Sequence, residues 1–359
     1  MASFENVKIK DLINIGYDLL ASDVLLKVDC VPTMRQHSQM IPLPGDFPVL
    51  TQKDILRLLT PLMTEKQMER FAETMEMDLA FTVEGRCRVR TNIYHQKGTW
   101  AAVMRIIPLE ILSIEQLGLP PVLNELCKHR LGLILVTGPT GSGKTTSLAA
   151  MIDVINKDRK CHIVTIEDPL EVVHEDKQSY VSQREVHIDT LEFQPALRAV
   201  VREAPDVILI GEMRDPETMH AAMQAGETGH LVFSTVHTAS AYETMDRILN
   251  MFPPHEKNHL CKRLAGSLRA IVAQKLVPRA DGEGRVAALE ILICTPTISQ
   301  KIEDGHFSDL YQLMNEGQFW GMQTMNQSLL RYVKAGVISE QTALNYSSLS
   351  SELKQMLRR

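Results

Sequence analysis

Two different rhythms of apolar residues run along this chain, and one gives way to the other near residue 108. In the first stretch Val7, Ile9, Leu12, Ile13, Ile15, Leu19 and Leu20 recur at helical spacing, which predicts a helix over 7–20. Short alternating runs follow at 23–28 and 32–36, and then a segment rich in Pro and Gly, PLPGDFP (42–48), that reads as a loop. Helical spacing returns near 52–60 and 64–75, and three strand-like runs come after it, at 78–83, 87–96 and 99–107. This mixture describes a small α+β domain over residues 1–108. Residues 109–122, which follow Pro108 and carry Pro120 and Pro121, read as a linker.

Beyond the linker, short apolar runs alternate with helix-length segments: LGLILV (131–136), HIVTI (162–166), DVILI (206–210) and HLVFSTV (230–236). Strands that are apolar on both faces and spaced this way predict a parallel sheet covered by helices. A hairpin is predicted from 271–277 and 286–293, joined through DGEG. The last sixty or so residues read as helices punctuated by Gly336 and Ser339. The α/β core is therefore drawn over 123–295 and a helical C-terminal region over 296–359, with no internal repeat and no low-complexity segment.

Composition narrows the class. Hydrophobic residues make up 44% and charged residues 23%, as in ordinary globular protein. A formal net charge of -6 leans away from a dedicated nucleic-acid binder. Six cysteines without a C-x-x-C pair suggest neither a zinc knuckle nor a disulfide framework, so reduced cytoplasmic thiols are expected. The opening MASFENVKIKD lacks the basic and apolar regions of a signal peptide, and the apolar runs are too short to span a bilayer. Membrane association, if any, is expected to pass through a partner.

The strongest local signal is GPTGSGKT (138–145), which fits the phosphate-loop pattern between an apolar strand and the helical stretch TSLAAMIDVI. Gly138, Gly141 and Gly143 let backbone N–H groups approach phosphates, with Pro139, Thr140, Ser142 and Thr146 completing the loop. Lys144 is read as an exposed loop residue reaching the β- and γ-phosphates, and Thr145 as a ligand of magnesium. In DVILIGEMRD (206–215) Gly211 stands where a strand-end acid is usual, so Glu212 is the first carboxylate available to polarise water, by itself or through the metal's shell. The alternative is that Glu212 merely pairs with Arg214. TIEDPLE (165–171) adds Glu167, Asp168 and Glu171, either a solvated loop or, beside a phosphate loop, an element that positions magnesium or water. AGETGHLVFSTVHT (225–238) places His230 and His237 at opposite ends of one strand, too far apart to share a metal.

These four strand-end elements, in this order, resemble the Walker A, aspartate-box, atypical Walker B and histidine-box motifs of the hexameric secretion-type ATPases. Within that group, VTGPTGSGKTTSLAAMID, VSQREVHIDT, GEMRD and ETGHLVFSTVHT are similar to the retraction (twitching motility) ATPases of type IV pili, the PilT/PilU family. ASDVLLKVDCVPTMRQ, GRVAALEILICTP and GMQTMNQSL extend the resemblance over nearly the whole chain. Neither the extra N-terminal domain nor the four-cysteine zinc insertion usual in the assembly and secretion motors is expected here, since these 359 residues leave room for neither and hold no such cysteine cluster. TISQKIED (297–304) departs from the AIRNLIRE-like segment of the PilT type, and the run of helices in the tail resembles the PilU branch, so both branches stay open.

The resemblance implies a PAS-like α+β N-terminal domain followed by a RecA-like P-loop ATPase domain with a helical tail, assembled as a homo-hexamer. It implies an ATP- and Mg2+-dependent motor for pilus retraction at the cytoplasmic face of the inner membrane. Its partners would be an inner-membrane platform protein and a paralogous retraction ATPase, without direct nucleic-acid binding. A secretion or DNA-uptake motor, or a weakly hydrolysing accessory subunit, is the alternative. It further implies that arginines of the first domain, Arg88, Arg90 and Arg105, complete the nucleotide site, with Arg86 a weaker candidate. Strand alternation puts Arg86, Arg88 and Arg90 on one face.

Overall fold

The computed structural model describes residues 4–36 and 39–358, so residues 1–3 and 359 of the two end regions lie outside the described residues. The backbone forms two compact units, one running to Glu110 and the other from Ile111.

The first unit is a six-stranded antiparallel sheet. Its strands are β1 (Asp23–Lys27), β2 (Thr33–Gln36), β3 (Gln39–Pro42), β4 (Glu76–Val83), β5 (Cys87–Gln96) and β6 (Thr99–Pro108), in the order β3-β2-β1-β6-β5-β4. One face is apolar at every second position, and the helices Ile9–Asp18, Gln52–Leu59 and Glu65–Thr74 bury it. Along β5, Cys87, Val89, Thr91 and Ile93 are buried while Arg88 and Arg90 look out on the other face. Thr51 and Thr64 start two of the helices as reciprocal caps with Asp54 and Gln67. The first helix is shorter than its apolar spacing predicts. It ends at Asp18, and Leu20 turns the chain with a positive φ of 55°.

The second unit holds a seven-stranded sheet in the order β13-β12-β7-β11-β10-β8-β9. The strands are β7 (Gly132–Thr137), β8 (His162–Glu167), β9 (Tyr180–Glu185), β10 (Val207–Ile210), β11 (Leu231–Val236), β12 (Leu268–Pro278) and β13 (Arg285–Ile293). All neighbours are parallel except β12 and β13, which form the expected hairpin. Both faces are covered: Leu133 and Leu135 pack into one apolar layer, Ile134 and Val136 into the other. That two-sided burial is why the strands read as continuous apolar runs rather than alternating ones. The C-terminal helices Met325–Lys334, Glu340–Tyr346 and Ser350–Leu357 belong to this unit and pack beside the hairpin, with Tyr332 Oη donating to Ala287 O at 2.9 Å. Ser339 caps Glu340–Tyr346 by accepting from the Thr342 N–H.

Two features differ from the sequence expectation. β9 carries no apolar alternation because it is a half-buried edge strand, so YVSQRE gave no strand signal. In the stretch read as a linker, Ile114 and Leu119 are buried against Leu123 and Met151, so much of it is core of the second unit. All six cysteines are free thiols, and no helix among the described residues is long and apolar enough to cross a membrane.

Candidate active site

Because β7, β8, β10 and β11 are parallel, their carboxyl ends emerge along one edge of the sheet. The phosphate loop leaves β7 there and runs into the helix Lys144–Asp158, whose N-cap is Gly143. This places the helix's free N–H groups and positive dipole end at the loop, a ready anion site. Two glycines are required by the surroundings. Gly138 has φ of 148°, and a Cβ there would collide with the Gln274 carbonyl and lie 2.5 Å from Ser142 Oγ. At Gly143, φ is 86° and a Cβ would come within 2.8 Å of Gln274 Nε2. The cradle is thus built for bare backbone, and it fits the phosphates of a nucleotide.

Lys144 corrects the sequence reading. It is not exposed but 8% accessible, the first residue of the helix, with Nζ donating to Gly138 O at 2.8 Å and Pro139 O at 3.1 Å. Burial lowers its pKa, while the negative charges of Glu212 and Glu171 push it back up. Those two carboxylates therefore act on the same ammonium group as the phosphate loop. Thr145 and Thr146 follow on the same first turn, Thr145 half-buried and Thr146 exposed.

At the end of β10, Gly211 N donates to Ile166 O at 2.9 Å and Gly211 O accepts from Thr235 Oγ1 at 2.7 Å, which fixes where the chain turns out to Glu212. The Glu212 carboxylate meets Arg214 at 2.6 Å and His237 Nε2 at 3.3 Å. Burial raises its pKa, but the Arg214 hydrogen bond and the fields of His237 and Lys144 outweigh that, leaving it below the usual carboxylate range. The pairing with Arg214 is real, and it coexists with the coupling to Lys144.

Glu167 is the opposite case. It is buried, and desolvation raises its carboxyl to about 7 despite hydrogen bonds from Thr165 at 2.7 Å and Gln183 at 3.4 Å. Asp168 and Glu171 are exposed on the loop beyond it, and the Asp168 charge acts on Arg214. Among the described residues no group of three His, Cys, Asp or Glu is arranged to hold a metal ion by itself. A magnesium ion here would lean on the Thr145 hydroxyl and the nucleotide's own oxygens, as hard cations of this size commonly do.

His230 is not brought to the loop. It precedes β11, its backbone O accepts from Gly132 N at the start of β7, and its Nδ1 lies 3.0 Å from Ala225 O. That is the amino edge of the sheet, about 20 Å of strand from the phosphate loop. His237, at the other end, is the histidine that meets Glu212.

The arginines of the first unit form a row that strand alternation only partly anticipates. Arg86 lies in the turn before β5, paired with Asp18 at 2.8 Å and stacked 5.5 Å over Tyr17, so it does not extend the Arg88–Arg90 face. Instead, pairing across four strands lines up Arg35, Asp23, Arg105 and Arg90 on one face. Buried Asp23 takes Arg105 at 3.2 Å and Arg35 at 3.4 Å, while Arg90 has no ion-pair partner among the described residues. Arg90 and Arg105 stand directly opposite one another, and like charges so placed repel.

A buried histidine close to Glu167 gives a pH-dependent expectation. The His174 N–H donates to Gln183 Oε1 at 2.7 Å, and its buried Nδ1 has no hydrogen-bond partner among the described residues. Burial drives its pKa from 6.5 to about 4. The folded state thus prefers the neutral ring. Its contribution to stability is present above pH ~6.5 and lost as pH falls through ~4, a difference of about 3 kcal/mol. Chemical-denaturation midpoints at pH 7.5 and 4.5 should therefore drop less in His174→Leu than in the wild type. An equal drop in both would show that His174 does not carry the effect.

A strand, glycine loop and helix, with a carboxylate at the end of the parallel strand two places along the sheet, make this unit a P-loop ATPase domain of the RecA-like kind. The chain belongs to the family of type II/IV secretion system proteins, which residues 67–341 match. It is 44% identical over 323 residues to the type IV pilus retraction ATPase PilT of Pseudomonas aeruginosa, covering 90% of this chain and 93% of that protein. To the type IV pilus ATPase PilU of the same organism it is 37% identical over 339 residues, covering 94% and 88%. A crystal structure of the pilus retraction motor PilT with bound ADP superposes with a TM-score of 0.91 at 41% identity, covering 98% of this chain and 100% of that one.

Sequence reasoning missed Gln183, which ties Glu167 to the Val172 carbonyl, and Gln274, which touches the phosphate loop. Gln183 sits in a strand whose residues are mostly polar, where it does not stand out. Gln274 had one available signal, a glutamine inside the apolar run IVAQKLV.

Proposed function

We propose that this ATPase is the motor of type IV pilus retraction, working as a homo-hexameric ring on the cytoplasmic side of the inner membrane. The observation that carries the reading is the 44% identity to PilT over 90% of the chain, joined to an intact phosphate loop and its facing Glu212. The identity is higher to PilT than to PilU, which favours the hydrolysing motor over the accessory subunit.

In this reading the loop amides and Lys144 hold the β- and γ-phosphates, and Thr145 would hold magnesium against them with Glu212 and Asp168 beyond. Bound Mg-ATP supplies the phosphoryl group. Glu212 orients the attacking water while Arg214 and His237 fix its carboxylate, Glu171 adds to the field around Lys144, and buried Glu167 stands behind them at the end of β8. Arg88, Arg90 and Arg105 complete the site from the first unit, and His230 serves the opposite edge of the sheet as an interface residue. The ring passes the work of hydrolysis to a platform protein in the membrane and to a paralogous ATPase.

A deletion strain should be hyperpiliated and unable to twitch. Normal piliation with lost secretion or DNA uptake would move the motor to another cargo. The ring can be tested on the arginine row. Arg105 is engaged with Asp23, so Arg90→Ala is the cleaner variant; it should lower turnover ten- to hundredfold with little change in stability. Wild-type specific activity should also rise with protein concentration as the ring assembles. A fully active monomer, indifferent to dilution, rules the ring out.

A further inference from the structure

The shape of the phosphate loop is held from outside it. β12 runs parallel to β7 with Ala273 opposite Thr137, so the next residue along, Gln274, stands beside the first residue of the loop. Its side chain is buried at 2% exposure, and both ends of the amide are used. Nε2 donates to Ser142 O at 2.8 Å, and Oε1 accepts from Ser147 Oγ at 2.8 Å. The Ser142 carbonyl can only accept, so the amide has one workable orientation, and the Ser147 hydroxyl on the following helix holds it there.

The consequence falls on one peptide group. A trans peptide points its C=O and its N–H to opposite sides of the chain. Gln274 draws the Ser142 carbonyl towards β12, and the same plane turns the Gly143 N–H away from β12. Gly143, at φ of 86°, has no side chain to resist rotation of that peptide, so the orientation depends on an outside partner. Successive N–H groups turned inward are what makes a loop of this kind an anion nest.

We propose that Gln274 is a positioning residue for the nucleotide phosphates, locking the Ser142–Gly143 peptide so that the Gly143 N–H faces a bound phosphate. This rests on the phosphate loop being the nucleotide site. It assigns the β12–β13 hairpin a part in nucleotide affinity although no residue of the hairpin belongs to a nucleotide-binding motif.

The test uses the full-length protein, with ATP turnover and ADP binding measured on three variants. Gln274→Met removes both hydrogen bonds at nearly constant volume; KM for ATP and Kd for ADP should rise about tenfold while kcat changes less than about threefold. Gln274→Glu keeps the acceptor for Ser147 but sets a carboxylate against the Ser142 carbonyl, so it should lose at least as much affinity despite its matching shape. Ser147→Ala keeps the donor and loses its anchor, and should raise KM two- to threefold. A general packing role would not produce this order, nor confine the loss to KM. A folded Gln274→Met protein that binds ADP like the wild type overturns the proposal, as does a fall in kcat at unchanged KM. Should Gln274→Met not fold, Ser147→Ala decides, and an unchanged KM there counts against the proposal. Failure of the wild type to bind ADP, or undiminished ADP binding by Lys144→Ala, would instead remove the nucleotide-site reading itself.

Discussion

Lys144→Ala should abolish ATP turnover, with a loss of at least about 10²–10³-fold. Lys144 is 8% exposed, at the first turn of the helix, and its ammonium group spans the loop by bonding to the carbonyls of Gly138 and Pro139. No other lysine or arginine bonds to the loop among the hydrogen bonds of the described residues, and the two carboxylates that face it, Glu212 and Glu171, would repel a phosphate if it were gone. Their field also sustains the positive charge against the effect of burial. Truncation removes two charge-assisted hydrogen bonds, so a modest drop in thermal stability is expected beside the loss of turnover. Circular dichroism should still report the same secondary structure, because the helix continues through well-packed Leu148, Met151 and Ile152. Turnover near the wild-type rate in that variant would sink the phosphate-loop assignment.

How much of this could be read from the sequence depended on whether the information was local. The strands of the second unit were legible because burial on both faces leaves an uninterrupted apolar run, as in Gly132–Thr137 and Leu231–Val236. The phosphate loop was legible because its chemistry is contiguous. Burial of Lys144 was not, since the motif gives the residue's chemistry but not how the side chain folds back onto the Gly138 and Pro139 carbonyls. The edge strand Tyr180–Glu185 was hidden by its half-exposed, polar surface. Register hid the arginine row: alternation along one strand put Arg86 with Arg88 and Arg90, whereas pairing across strands puts Arg90 with Arg105, Asp23 and Arg35. For the same reason the two histidines of one strand could not be ranked until parallel pairing showed that only His237 shares an edge with Glu212. Contacts such as Gln274 to Ser142, made over a separation of 132 residues, leave no trace in either neighbourhood.

Glu212→Gln should separate binding from chemistry. The amide keeps the shape and can still meet Arg214 or His237, so nucleotide should bind with nearly unchanged affinity and remain unhydrolysed, with kcat down by about 10²–10³-fold. Two rival explanations make different forecasts. If the ion pair with Arg214 were the whole role of Glu212, Arg214→Gln should cost as much as Glu212→Gln; as a mere support of the carboxylate it should cost only a few-fold. If Glu167 were instead the group that takes the proton from water, its pKa would govern the rate. Buried Glu167 titrates at about 7, whereas Arg214, His237 and Lys144 hold Glu212 below the ordinary carboxylate range. A general base must be ionised to act, so a Glu167-driven reaction loses rate as pH falls through about 7. A reaction that depends on Glu212 keeps its rate throughout the range around neutrality, because that carboxylate stays ionised there. The wild-type kcat profile between pH 5 and 8 should therefore show no acid limb near 7. A limb there, removed by Glu167→Gln, would transfer the catalytic role to Glu167 and leave Glu212 as a fixed charge beside the phosphates.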